Sequence, residues 1–162
     1  MKVLAILLLL IASVPVRAQT APAKPKVNQE QTTLFGLTLG QPDRFPTDEE
    51  MGLGYNAVDL HTDTIGDEPE VKIGRIVAVW LPEVCEHVEV ALKDKFHSPT
   101  RISSWRGRNG LGLPISGNIW IWQRKNGDVV RWVWPSIDFP NCEVQAWTAE
   151  FIRKQPKSKD HL

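Results

Sequence analysis

The longest apolar run of the chain, Val3–Val16, is interrupted only by Ser13 and Pro15. At about 14 residues it falls short of the roughly 20 that a membrane span needs. Lys2 precedes it, and Val16-Arg17-Ala18 follows with small residues at the −3 and −1 positions of a cleavage site. That layout predicts a secretory signal peptide over residues 1–18, cut after Ala18, with the exported chain beginning at Gln19. Periodic runs come later. Thr33–Leu39 is apolar enough for a first strand, closed by Gly40 and Pro42. Val71–Leu81 alternates and is β-branched, which predicts a strand. Val84, Cys85, Val88, Ala91, Leu92 and Phe96 then recur at helical spacing. Pro82 occupies a tolerated first helical position, and Pro99 disfavours helix at Ser98, so the helix runs over about 83–97. Two β-rich runs within Asn118–Pro135 flank Asn126-Gly127, the preferred hairpin pair. Cys142–Ile152 reads as a last strand.

Between these runs the pattern is weaker. Residues 20–31 read as a lead-in, 41–70 as loops with one short strand near Tyr55–Leu60, and 100–117 as a long glycine-rich loop with room for a short strand inside it. A run of strands with one helix among them predicts an α+β fold: an antiparallel sheet of about 4–6 strands with one main helix packed on one face. The organisation is a signal peptide (1–18), a lead-in (19–32), one domain (33–153) and a basic tail (154–162).

A two-residue Asn126-Gly127 loop would place Lys125 opposite Asp128. Ile119, Ile121 and Gln123 would then share the helix-facing side with Val130, Trp132 and Trp134. The other side would carry Trp120, Trp122, Arg124 and Arg131. On the last strand, Cys142 facing the helix would turn Trp147 and Phe151 to that same outer side. An exposed face of tryptophans and arginines is the signature of an interaction surface, unless the acidic segment 41–70 folds over it as a second layer.

Composition narrows the classes. Removal of residues 1–18 takes Lys2 and Arg17 from 19 basic residues set against 19 acidic ones, leaving a net charge of −2. Such a chain lacks the positive field that non-specific nucleic-acid binding needs. No second apolar run reaches membrane length. Charge is nevertheless segregated: residues 41–70 hold nine carboxylates against Arg44 alone, while 93–108 hold Lys93, Lys95, Arg101, Arg106 and Arg108 against Asp94. Two solvated surfaces account for this, as does a basic loop that meets an anionic partner. The two cysteines, Cys85 and Cys142, predict one disulfide in an oxidising compartment. The bridge would close a loop of about 57 residues, worth near 4 kcal/mol at the upper end of chain-entropy estimates.

Catalytic signatures are sparse. No Gly-x-Ser-x-Gly elbow, phosphate loop or dinucleotide fingerprint occurs. Asp59, His61 and Asp63 would share one face of a strand, in a pattern that suits zinc or manganese. They are the basis of an alternative reading as a metal-dependent hydrolase.

Phe35-Gly36-Leu37-Thr38-Leu39-Gly40 resembles the Phe-Gly-x-x-Leu-Gly opening of small exported bacterial proteins. Leu92–Thr100 resembles their Leu-x-x-Lys-Tyr/Phe-Gly-x-Pro-Thr helix end, with His97 in place of glycine. The resemblance implies an α+β fold and a bacterial envelope context, and it transfers no catalytic residue or cofactor. The sequence therefore points to an exported, periplasmic or secreted binding domain. Its expected binding residues are Trp120, Trp122, Arg131 and Trp147, with Arg106 and Arg108 on an adjoining loop. An envelope protein or glycan is the expected partner; a dimer through the same face is a further alternative.

Overall fold

A computed structural model of the chain describes residues 31–136 and 140–155. The expected signal peptide, most of the lead-in and most of the basic tail lie outside the described residues. The chain opens with a tight hairpin, β1 (Thr33–Leu34) and β2 (Leu37–Thr38), followed by a helical turn α1 (Asp48–Met51) and a 3-10 turn (Gly52–Asn56). Then come β3 (Asp59–Ile65), β4 (Lys72–Trp80), α2 (Pro82–Phe96), β5 (Arg101–Arg108), β6 (Pro114–Gln123), β7 (Val129–Trp134), β8 (Cys142–Trp147) and α3 (Ala149–Lys154). The last six strands form one antiparallel sheet in the order β3-β4-β8-β7-β6-β5. The expected α+β architecture is the one that forms, with six strands in the main sheet.

The core lies between α2 and one sheet face. Cys85, Val88, Leu92 and Phe96 form the buried stripe of the helix. They meet Ile76, Ala78 and Trp80 of β4, Val144 and Ala146 of β8, Val130 and Trp132 of β7, and Trp122 of β6. Leu34, Leu37 and Leu39 close the same layer. Cys85 and Cys142, both fully buried, are joined as expected. Two buried indoles have their N–H groups satisfied by backbone carbonyls: Trp80 donates to Leu53 at 2.9 Å and Trp122 to His97 at 3.0 Å. An indole is buried cheaply only when its N–H finds such an acceptor.

Two local expectations are corrected. The Asn126-Gly127 hairpin has a three-residue loop, Lys125-Asn126-Gly127, closed by Arg124 N–H to Asp128 O at 2.8 Å and Gly127 N–H to Arg124 O at 3.0 Å. A type I′ turn needs positive φ at both central residues; here only Gly127 has it, at +87°. Asn126 instead accepts the Asp128 N–H on its Oδ1 at 3.0 Å and donates from Nδ2 to the Asp128 carboxylate at 2.9 Å. The extra loop residue moves the pairing by one, to Trp120↔Trp132 and Trp122↔Val130, which turns every side chain of β6 over. Trp120 and Trp122 therefore face α2, while Ile119 and Ile121 look outward.

The second correction concerns the end of the chain. The last strand stops at Trp147, and Thr148 caps α3 by accepting the Phe151 N–H on Oγ1 at 3.0 Å. Phe151 is thereby buried against Gly74 and Ile65 instead of standing out from a strand. The weakly patterned segments also hold more structure than their periods suggest. Thr47 and Glu50 make a capping box at the start of α1. Arg44 pairs with Glu50 at 2.8 Å, and this hydrogen bond is the main reason the Glu50 carboxyl is held down to about 2. Residues 101–108, in the segment expected as a long loop with room for a short strand, form the eight-residue edge strand β5.

Candidate functional site

Side chains alternate across a strand, so the sheet face opposite α2 is defined by the register. One row across it reads His61, Val77, Gln145, Arg131, Ile121 and Arg101. The next reads Asp63, Arg75, Trp147, Val129 and Gln123. A third carries Val79, Glu143, Val133 and Ile119. Among the described residues, the packed apolar cluster is built wholly on the α2 side and lays nothing on these rows. Val77 and Val133 are buried on this face, and Arg75, Arg131, Gln145 and Trp147 are half-buried.

The centre of this face is polar and aromatic. Arg75 donates from Nη1 to Asp63 Oδ2 at 3.1 Å, and its guanidinium lies 6.0 Å from the centre of the Trp147 ring. The Arg75 Nε is buried without a hydrogen-bond partner. Gln145 donates to the Glu143 carboxylate beside it. Burial is the main influence that lowers the Arg131 pKa; Arg75 lowers it further and Glu143 opposes both. A guanidinium stays protonated across the physiological range regardless. Charge runs across the sheet, from Asp59 and Asp63 on the β3 edge to Arg101, Arg106 and Arg108 on the β5 edge.

The structure divides the expected binding residues into three places. Arg131 and Trp147 share the open face. Trp122, only 2% exposed, is a core residue that packs beside Phe96 with ring centres 5.9 Å apart. Trp120 is half-buried on the α2 side, with Lys93 Nζ 4.3 Å above its ring. Their expected outward placement is corrected by the hairpin register. Arg106 and Arg108 are exposed on the free edge strand β5. Arg75 and Gln145, not singled out from the sequence, reach the site because β4 and β8 pair next to one another. A non-local pairing of that kind leaves no local signal.

Asp59, His61 and Asp63 share the outer face of β3, as their spacing implies. They are engaged in pairs: His61 Nδ1 lies 3.1 Å from the Asp59 carboxylate, and Asp63 is held by Arg75. Among the described residues, no three His, Cys, Asp or Glu side chains converge as for a metal ion. A cavity of about 150 Å³ lies between the β1–β2 turn and α2, lined by Leu34, Phe35, Leu53, Val88, Ala91, Leu92 and Lys95. Small-molecule sites span about 300–1,000 Å³, so it is too small for one.

The fold and this face define a class: an antiparallel α+β domain with one sheet face packed under a helix and the other carrying an arginine–tryptophan cluster. Comparison of the chain with protein-family models, curated proteins and solved structures gives no match.

Proposed function

We propose that this chain is an exported, non-enzymatic binding domain of the bacterial envelope, and that its ligand is an envelope glycan held on the open sheet face. The observation that carries the reading is the Trp147–Arg75–Arg131 cluster, half-buried on a face free of the core layer. An indole face stacks on a sugar ring. The flanking Arg131, Gln145 and Glu143 offer donors and acceptors at fixed strand spacing to ring hydroxyls and acidic substituents. A rigid sheet presents these groups without an ordering cost on binding. Export is supported by the sequence of residues 1–18 and by the Cys85–Cys142 disulfide, which persists in oxidising compartments. Among the described residues, no helix is long and apolar enough to cross a membrane.

The test is calorimetric titration with carboxylate-bearing peptidoglycan fragments. The native protein binds them, and Trp147→Ala and Arg131→Ala each weaken binding at least tenfold, within the range of hot-spot truncations. Equal affinity in all three proteins, or no binding by the native one, overturns the reading.

A further inference from the structure

We propose that the hairpin formed by β5 and β6 is an arm that docks this protein on an anionic phospholipid surface. The inference stands apart from the open sheet face and needs nothing of the glycan reading. Its first support is shape. Strand β7 pairs with β6 only from Asn118 onward, so Trp105–Arg108 and Pro114–Gly117 pair only with each other. Four residue pairs of antiparallel ribbon extend roughly 13 Å past the sheet. The root of the arm is fixed. Trp105 lies across Gly117, where a Cβ would come within 2.4 Å of its indole nitrogen, and donates to Pro135 O at 3.1 Å.

The second support is the chemistry of the tip. Leu111 is 84% exposed and Leu113 is 57% exposed, at the far end of the ribbon. Arg106 and Arg108 lie just behind them, on the same side of β5 and exposed. Among the described residues neither has an ion-pair partner. The chain holds no carboxylate between Asp94 and Asp128, so nothing on the arm offsets these charges. Apolar side chains at a tip with a collar of cations suit the boundary between acyl chains and anionic headgroups.

The third support is the loop backbone. A polar backbone enters an apolar region only if its hydrogen bonds are made internally. Four of the five N–H groups of residues 109–113 donate within the loop. Leu111 and Leu113 donate to Asn109 Oδ1 at 3.0 and 2.9 Å, Gly112 to Asn109 O at 2.8 Å, and Asn109 to Leu113 O at 3.0 Å. Arg108 Nη1 donates to Gly112 O at 2.8 Å, so the cation itself covers a carbonyl. Gly112 supplies the positive φ, +79°, that closes the loop. The leucines are therefore held outward by a turn that satisfies all but one of its own N–H groups.

The test is co-sedimentation of the protein, purified from the exported fraction of a bacterial host, with phospholipid vesicles. At about 0.1 M salt, where screening extends over about 10 Å, it partitions onto vesicles of mixed phosphatidylglycerol and phosphatidylcholine. It does not partition onto phosphatidylcholine alone. Replacing Leu111 and Leu113 together by serine lowers the partition coefficient about tenfold. Replacing Arg106 and Arg108 together by alanine lowers it about tenfold or more and removes most of its salt dependence. Val90→Ser, at an exposed apolar residue of α2, leaves it unchanged. All variants share one N-terminus, so any contribution of residues 1–18 cancels, and circular dichroism confirms that each is folded. No sedimentation of the native protein, equal sedimentation with both lipids, or indifference to either paired substitution overturns the proposal. An arm that instead cross-links to one envelope protein, with no vesicle binding, also overturns it.

Discussion

His97 shows how one side chain bears a conformational cost. It ends α2 at φ +62° and ψ −145°, while its N–H bonds Lys93 O at 2.7 Å. That region is nearly exclusive to glycine, and a Cβ there costs about 1–3 kcal/mol. The position is tolerated because its carbonyl accepts the Trp122 indole proton, an interaction that needs no particular side chain. His97→Gly is accordingly expected to raise stability by about 1 kcal/mol in denaturant unfolding. Tryptophans on opposite faces make the complementary measurement. Trp122→Ala removes a buried indole and is expected to cost about 3–5 kcal/mol. Trp147→Ala, on the open face, is expected to cost about 1 kcal/mol or less. Similar losses at the two positions would reverse the assignment of faces. Trp122 was legible as an aromatic on a strand, but its direction was not, because parity depends on a loop that begins three residues away.

Two hairpins exchange the turn types that their sequences suggest. Asn126-Gly127, the preferred type I′ pair, sits in a three-residue loop with Asn126 tied to Asp128. Phe35-Gly36 has positive φ at both residues, +54° and +76°, between the paired Leu34 and Leu37. This two-residue turn is the physical content of the Phe-Gly opening. The Phe35 ring packs edge-on against Trp80 at 5.1 Å, and packing holds a non-glycine residue in a left-handed conformation. Gly36 has no room for a side chain, since a Cβ would lie 2.5 Å from Pro46 Cβ. Gly36→Ala is expected to cost about 2 kcal/mol, measured as a lower denaturation midpoint with unchanged slope. Elements with a strong local period, β4 and α2 above all, were readable to within a residue or two. The edge strand β5 was not, since Ser103, Ser104 and Gly107 dilute its alternation and it gains its hydrogen bonds only by pairing with β6.

Taken as a whole, the molecule builds its main apolar cluster on the α2 side of one sheet and fastens that side with the Cys85–Cys142 bond. The two ends of the bond are 57 residues apart, and both cysteines are fully buried. Replacing both by alanine is expected to cost about 2–5 kcal/mol, read from unfolding of the oxidised native protein beside the variant. A loss much below this range would mean that the helix is held by packing alone. The open face and the β5–β6 arm lie outside this fastened layer, so substitutions at Arg131, Arg106 or Leu111 are expected to change stability by less than about 0.5–1 kcal/mol. That separation lets the proposed binding roles be tested without unfolding the domain.

The amino-acid order alone determined the apolar run Val3–Val16, the helix that carries Cys85, the alternating strand before it and the cysteine pair. Each rests on short-range periodicity or on the count of one residue type, which no distant contact alters. Only the tertiary structure decided which tryptophans are core and which are surface. Burying Trp122 beneath Phe96 and His97 selects one hairpin register, and a shift of a single residue inverts a whole strand. It also brought Arg75, Arg131 and Trp147 together, because β4, β8 and β7 become neighbours only when the sheet assembles.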